Sequence, residues 1–287
     1  MASLLIPEYV KKHLYTYESV DDIPDEVFDK IAVEFDAKTF KKPLVSIVII
    51  AYNEEKTILR TLSSLSELKS DYPFEVIVVN NNSTDRTQEL LDKCGVKSVF
   101  QERQGVGFAR QAGLDEAKGI YHLCGDADTI YPPNYINIMV NNLKKPGTVA
   151  VFGHVSFIPD GKKSRFLLGI YEFFKDFVVM LRAINRPELS LGGASFGFVT
   201  GLGKKIGWRT DIKRGEDGSM ALALKEYGKI IRVNSPQARV WTSARTLEAD
   251  GNYLFMILKR VVRELKRIQE YFTVQKGVYE INEQNRI

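Results

Sequence analysis

Two acidic clusters carry the clearest chemical signal in this chain. Asp126-Ala127-Asp128 places two carboxylates one residue apart, directly after the apolar run that ends at Cys124. Two such charges at the end of a buried strand repel one another and lose hydration unless a cation sits between them, and a hard divalent ion with oxygen ligands suits that place. The plainer reading is a solvated loop whose aspartate caps the helix after Pro132-Pro133. Gly215-Glu216-Asp217-Gly218 opens a second helical stretch. Its acids either complement the helix dipole or include a carboxylate that takes a proton from an attacking hydroxyl. Gly105-Val106-Gly107, ahead of Arg110, offers amides to a phosphate, but it lacks the third glycine and the preceding strand of a dinucleotide fingerprint.

These residues need elements to position them. From Pro43 the sequence alternates VSIVII, a helix over 54–68, FEVIVV, a helix over 84–93, a short VKSVF strand, a helix over 105–118 and IYHLC. Buried β-rich runs alternating with helices predict an α/β fold: one Rossmann-like domain, a mostly parallel central sheet and helices on both faces. Ligands of such sheets bind beyond the carboxyl ends of the strands. Those ends carry Tyr52-Asn53-Glu54, Asn80-Asn81-Asn82-Ser83 and Asp126-Ala127-Asp128, so three loops point polar groups at one crevice. Further on come a strand over 148–158, an aromatic helix over 166–184, a glycine-rich stretch over 191–208 and two short strands, IIRVN and ARVWTS. Aromatic helices of this kind are ordinarily core. The expected organisation is a lead segment over 1–42 with a short helix from Asp25, a catalytic domain over 43–245, and a C-terminal amphipathic helix and tail over 246–287.

Composition narrows the function. The chain has 287 residues, 44% of them hydrophobic, enough for a packed core and too many for a disordered chain. A formal charge of +4 is far from the basic stripe of a nucleic-acid protein, so no nucleic-acid partner is expected. Two cysteines, Cys94 and Cys124, make no disulfide framework or zinc cluster. The apolar stretch after Met1 ends at Pro7, and the runs 45–51 and 177–181 are too short to cross a bilayer. A cytoplasmic protein is expected. The C-terminal stretch FMILKRVVRELKRIQEYF reads either as a core-packed helix with a solvated basic face or as a peripheral contact with the inner face of an anionic membrane.

Taken in order, VSIVIIAYNEE, VVNNNSTDRT, QGVGFARQAGLDEAKG, GDADTIYPPNYI and GEDGSMALAL resemble the family 2 glycosyltransferases of the GT-A fold, over roughly residues 43–245. The resemblance implies an inverting transferase (EC 2.4) that takes a sugar from a nucleotide-diphosphate donor, with Mg2+ or Mn2+, to a glycan or lipid-linked hydroxyl. It sets Tyr52 and Glu54 beside the nucleoside and Asn81 at the base edge. It sets Asp126 and Asp128 in the DxD motif that holds ribose and the metal-bound diphosphate, Asp217 as general base with Glu216 beside it, and Arg110 near the phosphates. Two departures stand out. The usual DDxS is NNNS here, and no histidine follows His154, where some members supply a metal ligand; the corresponding stretch is Trp241-Thr242-Ser243-Ala244-Arg245. A hydroxyl or water then completes the coordination, or Arg245 takes part of the charge. The QxxRW signature of processive synthases is absent, which favours single addition. A nucleotidyltransferase would need a glycine-rich phosphate loop where AYNEE stands. A binding module without turnover would be expected to have lost one of the acidic motifs, and both are present.

Overall fold

The computed structural model describes residues 5–38, 40–159, 164–245 and Val262. The lead segment contributes α1 (Glu8–Lys11) and α2 (Asp25–Ala37). Then β1 (Val45–Ala51), α3 (Ile58–Ser66), β2 (Phe74–Asn80), α4 (Thr87–Lys93), β3 (Ser98–Phe100), α5 (Val106–Glu116) and β4 (Tyr121–Asp126) alternate as expected. The second half holds β5 (Thr129–Ile130), α6 (Tyr135–Leu143), β6 (Thr148–Phe152), β7 (Val155–Ile158), α7 (Arg165–Asn185), β8 (Phe196–Val199), α8 (Thr200–Ile206), α9 (Glu216–Lys225), β9 (Lys229–Arg232) and β10 (Val240–Ser243). The C-terminal helix expected from about residue 252 lies outside the described residues.

Seven strands form the central sheet in the order β3-β2-β1-β4-β8-β6-β9. All pairs are parallel except those of β8, which runs antiparallel between β4 and β6. Because β1 and β2 are covered on both faces, nearly every one of their Val and Ile side chains is buried, which is why they read as unbroken apolar runs. Ala51 is level with Asn80, and Ile50 with Asp126, so the loops after β1, β2 and β4 leave the sheet side by side.

One feature departs from the sequence expectation. The strand expected over 148–158 is two strands in different sheets. The chain turns at Gly153, where a side chain would collide with the Ser195 hydroxyl, and β7 joins a second, three-stranded sheet ordered β5-β10-β7. The lead segment packs on the rest of the chain. Val20, Ile23, Phe28, Ile31 and Phe35 belong to the same core as Leu62, Leu65, Leu90 and Leu91. Among the described residues no helix is long and apolar enough to cross a membrane.

Candidate functional site

The first two loops are bolted together before any ligand arrives. Asn53 takes a positive φ of 53°, and its backbone N–H donates to Ser83 Oγ at 3.0 Å. The N–H groups of Glu54 and Glu55 donate to Thr87 Oγ1 (2.8 Å) and Asp85 Oδ2 (3.0 Å). These bonds hold residues 54–57 as a turn, which is why the helix expected from Glu54 starts only at Ile58. Tyr52 stands 43% exposed beside them, a free ring face at the crevice. Asn81 is buried, and its Oδ1 accepts the Gly105 N–H at 3.1 Å. Gly105 (φ 153°) tolerates no ordinary side chain, and a Cβ on Gly107 would lie 2.1 Å from the Arg209 carbonyl oxygen. Gly107 thus serves the close packing of α5 against Arg209.

Behind this rim, one guanidinium organises the acids. Arg110, on α5, is 2% exposed; Nη1 donates to the Gly125 carbonyl (2.8 Å), Nη2 to Asp126 Oδ1 (2.7 Å), and Nε faces Asp217 Oδ1 at 3.8 Å. Arg110 thus bridges the end of β4 to the start of α9. The approach is so close that a Cβ on Gly193 would lie 1.7 Å from Arg110 Nη2, so only glycine fits there. The Gly193 backbone also lies near the Asp217 carboxylate and lowers its pKa, and Asp217 Oδ1 has no hydrogen-bond partner. Burial pushes Asp217 up to about 6, with Arg110 pulling against it and the Glu216 charge adding to the rise. Asp126 is likewise pushed up to about 6 by burial, again opposed by Arg110. Glu216 is buried beside Asp217 in the first turn of α9.

Asp128 anchors a second group. Its Oδ1 accepts from Thr242 Oγ1 at 2.8 Å, and its Oδ2 lies 3.6 Å from Arg245 Nη2. Arg245 also grips Glu54, with contacts of 2.5 and 2.7 Å to the two carboxylate oxygens. Burial raises the Glu54 carboxyl while Thr57 and Arg245 hold it down. Close by, Arg60 on α3 keeps Nε and Nη2 buried without a hydrogen-bond partner, and burial lowers its pKa against the pull of Asp128 and Glu54. Sequence reasoning passed over Arg60, Thr242 and Gly193. The readable signal for Arg60 was an arginine within a helix whose Ile58, Leu59, Thr61, Leu62, Ser63, Ser64 and Leu65 are all buried.

The donor set fits a hard cation. Asp126 and Asp128 each commit Oδ1 to the protein, and their Oδ2 atoms are the oxygens left to a divalent ion. Among the described residues no third His, Cys, Asp or Glu completes a cluster, which leaves a hydroxyl, a bound phosphate or water as further ligands.

The site thus sets a carboxylate pair at the end of β4 against the acids that open α9, at one end of a mostly parallel sheet. The model of the Glycosyl transferase family 2 matches residues 46–198, and the chain belongs to that family. Poly-beta-1,6-N-acetyl-D-glucosamine synthase of Staphylococcus aureus is 34% identical over 116 residues, 38% of this chain and 28% of the relative. The chain thus spans little more than a quarter of that relative's length. Among solved structures, S. aureus TarS 1-349 in complex with UDP-GlcNAc aligns with a TM-score of 0.55 at 19% identity, over 77% of this chain and 72% of TarS. The mannosyltransferase PcManGT from Pyrobaculum calidifontis, in complex with GDP-Man and Mn2+, aligns with the same TM-score and identity over 86% and 80%. The fold is GT-A.

Proposed function

We propose that this chain transfers a sugar, with inversion, from a nucleoside-diphosphate donor to a hydroxyl of a glycan or lipid-linked acceptor, one residue per acceptor, on the cytoplasmic side. The observation that carries the reading is the linked set Asp126, Arg110 and Asp217, in which one buried guanidinium lies between a donor-side and an acceptor-side carboxylate. Tyr52, Glu54 and Asn81 form the nucleoside end; Asp126, Asp128, Arg60 and Arg245 form the diphosphate end. Mg2+ or Mn2+ held by Asp126 and Asp128 would offset the charge on the departing diphosphate. Asp217 Oδ1 accepts the acceptor's proton, while the acceptor oxygen bonds the anomeric carbon and the C–O electron pair leaves with the diphosphate. Arg110 and the Gly193 backbone hold that carboxylate still, which is orientation in place before the reaction starts.

Support comes from the family, and from UDP-GlcNAc in the TarS complex and GDP-Man with Mn2+ in PcManGT. Calorimetry with UDP and GDP, with and without Mn2+, tests the donor side. Asp128→Asn should bind nucleotide weakly and with almost no response to Mn2+; binding equal to wild type would remove Asp128 from the site. Release of nucleoside diphosphate that depends on acceptor separates an enzyme from a binding module.

A further inference from the structure

Helix α7 is built inside out. At 100° per residue, Phe166, Leu167, Ile170, Phe173, Phe174, Phe177, Met180 and Ile184 fall on one arc of about 140°, which extends over about 27 Å of the helix. These eight side chains are 39% to 67% exposed, and no charged residue shares the arc. The helix turns its charges inward. Glu172 is fully buried, with Oε1 and Oε2 each 2.7 Å from Arg165 and accepting from the Phe157 N–H and Ser156 Oγ. Asp176 pairs with Arg239 and lies 3.1 Å from His154, and Lys175 donates to the Val155 carbonyl. A helix that spends buried ion pairs to direct four phenyl rings outward is shaped for a surroundings other than water.

We propose that α7 lies in the interface of an anionic lipid bilayer, with its aromatic arc among the acyl chains. Charge selects this occupant. The sequence just ahead of α7 carries Lys162 and Lys163. Ala244 packs with Leu168 and Tyr171 of α7, and the sequence beyond Arg245 holds five cations against one acid, Glu264, between 259 and 267. A second copy of the chain would only add to that positive charge, whereas an anionic surface neutralises it. Chain continuity adds a direction. α7 runs through the 3-10 turn Pro187–Ser190 to Gly193, whose backbone lies near Asp217. A bilayer at α7 is therefore adjacent to the segment that reaches the acid, as a lipid-linked acceptor would require. That last step rests on the transferase reading; the membrane contact itself does not.

The test is flotation of the full chain with vesicles of phosphatidylcholine alone or mixed with phosphatidylglycerol. Wild type should float with the anionic vesicles, and a fraction should stay bound at about 0.5 M salt, where screening leaves mainly the apolar contribution. Phe173→Ser with Phe177→Ser, both on the exposed arc, should melt like wild type and lose at least tenfold in partitioning. Asp217→Asn should float as wild type does, which keeps this outcome separate from any result on transfer. As a second readout, Phe177→Cys can be labelled with a polarity-sensitive dye, since Cys94 and Cys124 are buried. Its emission should shift to the blue only when vesicles are added. Wild type that stays out of vesicles, a double variant that floats equally well, or a dye already shifted without lipid, as a second copy or the chain's own C-terminal segment would cause, overturns the proposal.

Discussion

In the proposed reaction Asp217 must be ionised before it can take a proton, and its raised pKa brings that condition into the pH range of ordinary assays. With the carboxyl raised to about 6, the protonated, inactive form accumulates as pH falls through that value. kcat/KM should therefore be flat above about 7 and decline at least tenfold per unit below about 6, more steeply where Asp126 protonates as well. Asp217→Asn should melt near wild type, still bind donor, and transfer sugar at least about a hundredfold more slowly, with a shallower acid limb set by Asp126; near-normal transfer would move the base to Glu216. Arg60 makes the opposite kind of prediction. Its guanidinium pays desolvation without hydrogen bonds to Nε and Nη2, so Arg60→Met, which keeps the apolar stem, should leave the empty protein as stable or raise its Tm. The same variant should weaken nucleoside-diphosphate binding about tenfold, roughly one charge-assisted contact. Weakened stability with unchanged affinity would make Arg60 a structural residue.

At the scale of elements, the site depends on close approaches that only glycine allows. Gly193→Ala puts a methyl where Arg110 Nη2 now lies, so either the guanidinium or the 193–195 turn must move. Overpacking of this sort costs about 1–3 kcal/mol, and here it should also lower donor affinity, because Asp126 loses its fixed partner; thermal melts and calorimetry on one preparation check both. The alternating strands and helices from β1 to β4, and the convergence of their loops, were legible from residues 43–128 because parallel strands covered on both faces must be apolar throughout. The split of β6 from β7 was not, since Thr148–Ile158 is continuously strand-like and the break is set by Ser195, far away in sequence. The partners of Arg110 were hidden for a related reason: a motif records that an arginine follows the glycines, but not that its guanidinium pairs with Asp126. Exposure of the α7 phenyl rings was equally hidden, because an aromatic stripe at helical spacing reads the same whether it meets core or surroundings.

Over the whole molecule, the described part of the lead segment and the catalytic domain share one core, so they should unfold together. Phe28→Ala, in the core shared with Leu62 and Leu90, should cost about 3–5 kcal/mol and lower a single melting transition shared by all probes; a separate low-temperature transition for residues 5–38 would show an independent unit. The place of β8 has a further consequence, for the order in which the chain emerges during synthesis. β4 ends at Asp126, and the strand that covers its edge begins 70 residues later, at Phe196 (196 − 126). At about 5–20 residues per second, that edge waits several seconds with unpaired backbone groups, in a half-sheet of Val and Ile that readily templates other strands. Nascent chains halted near residue 190 should accordingly bind chaperones and sediment as aggregates, whereas chains released beyond residue 245 should not.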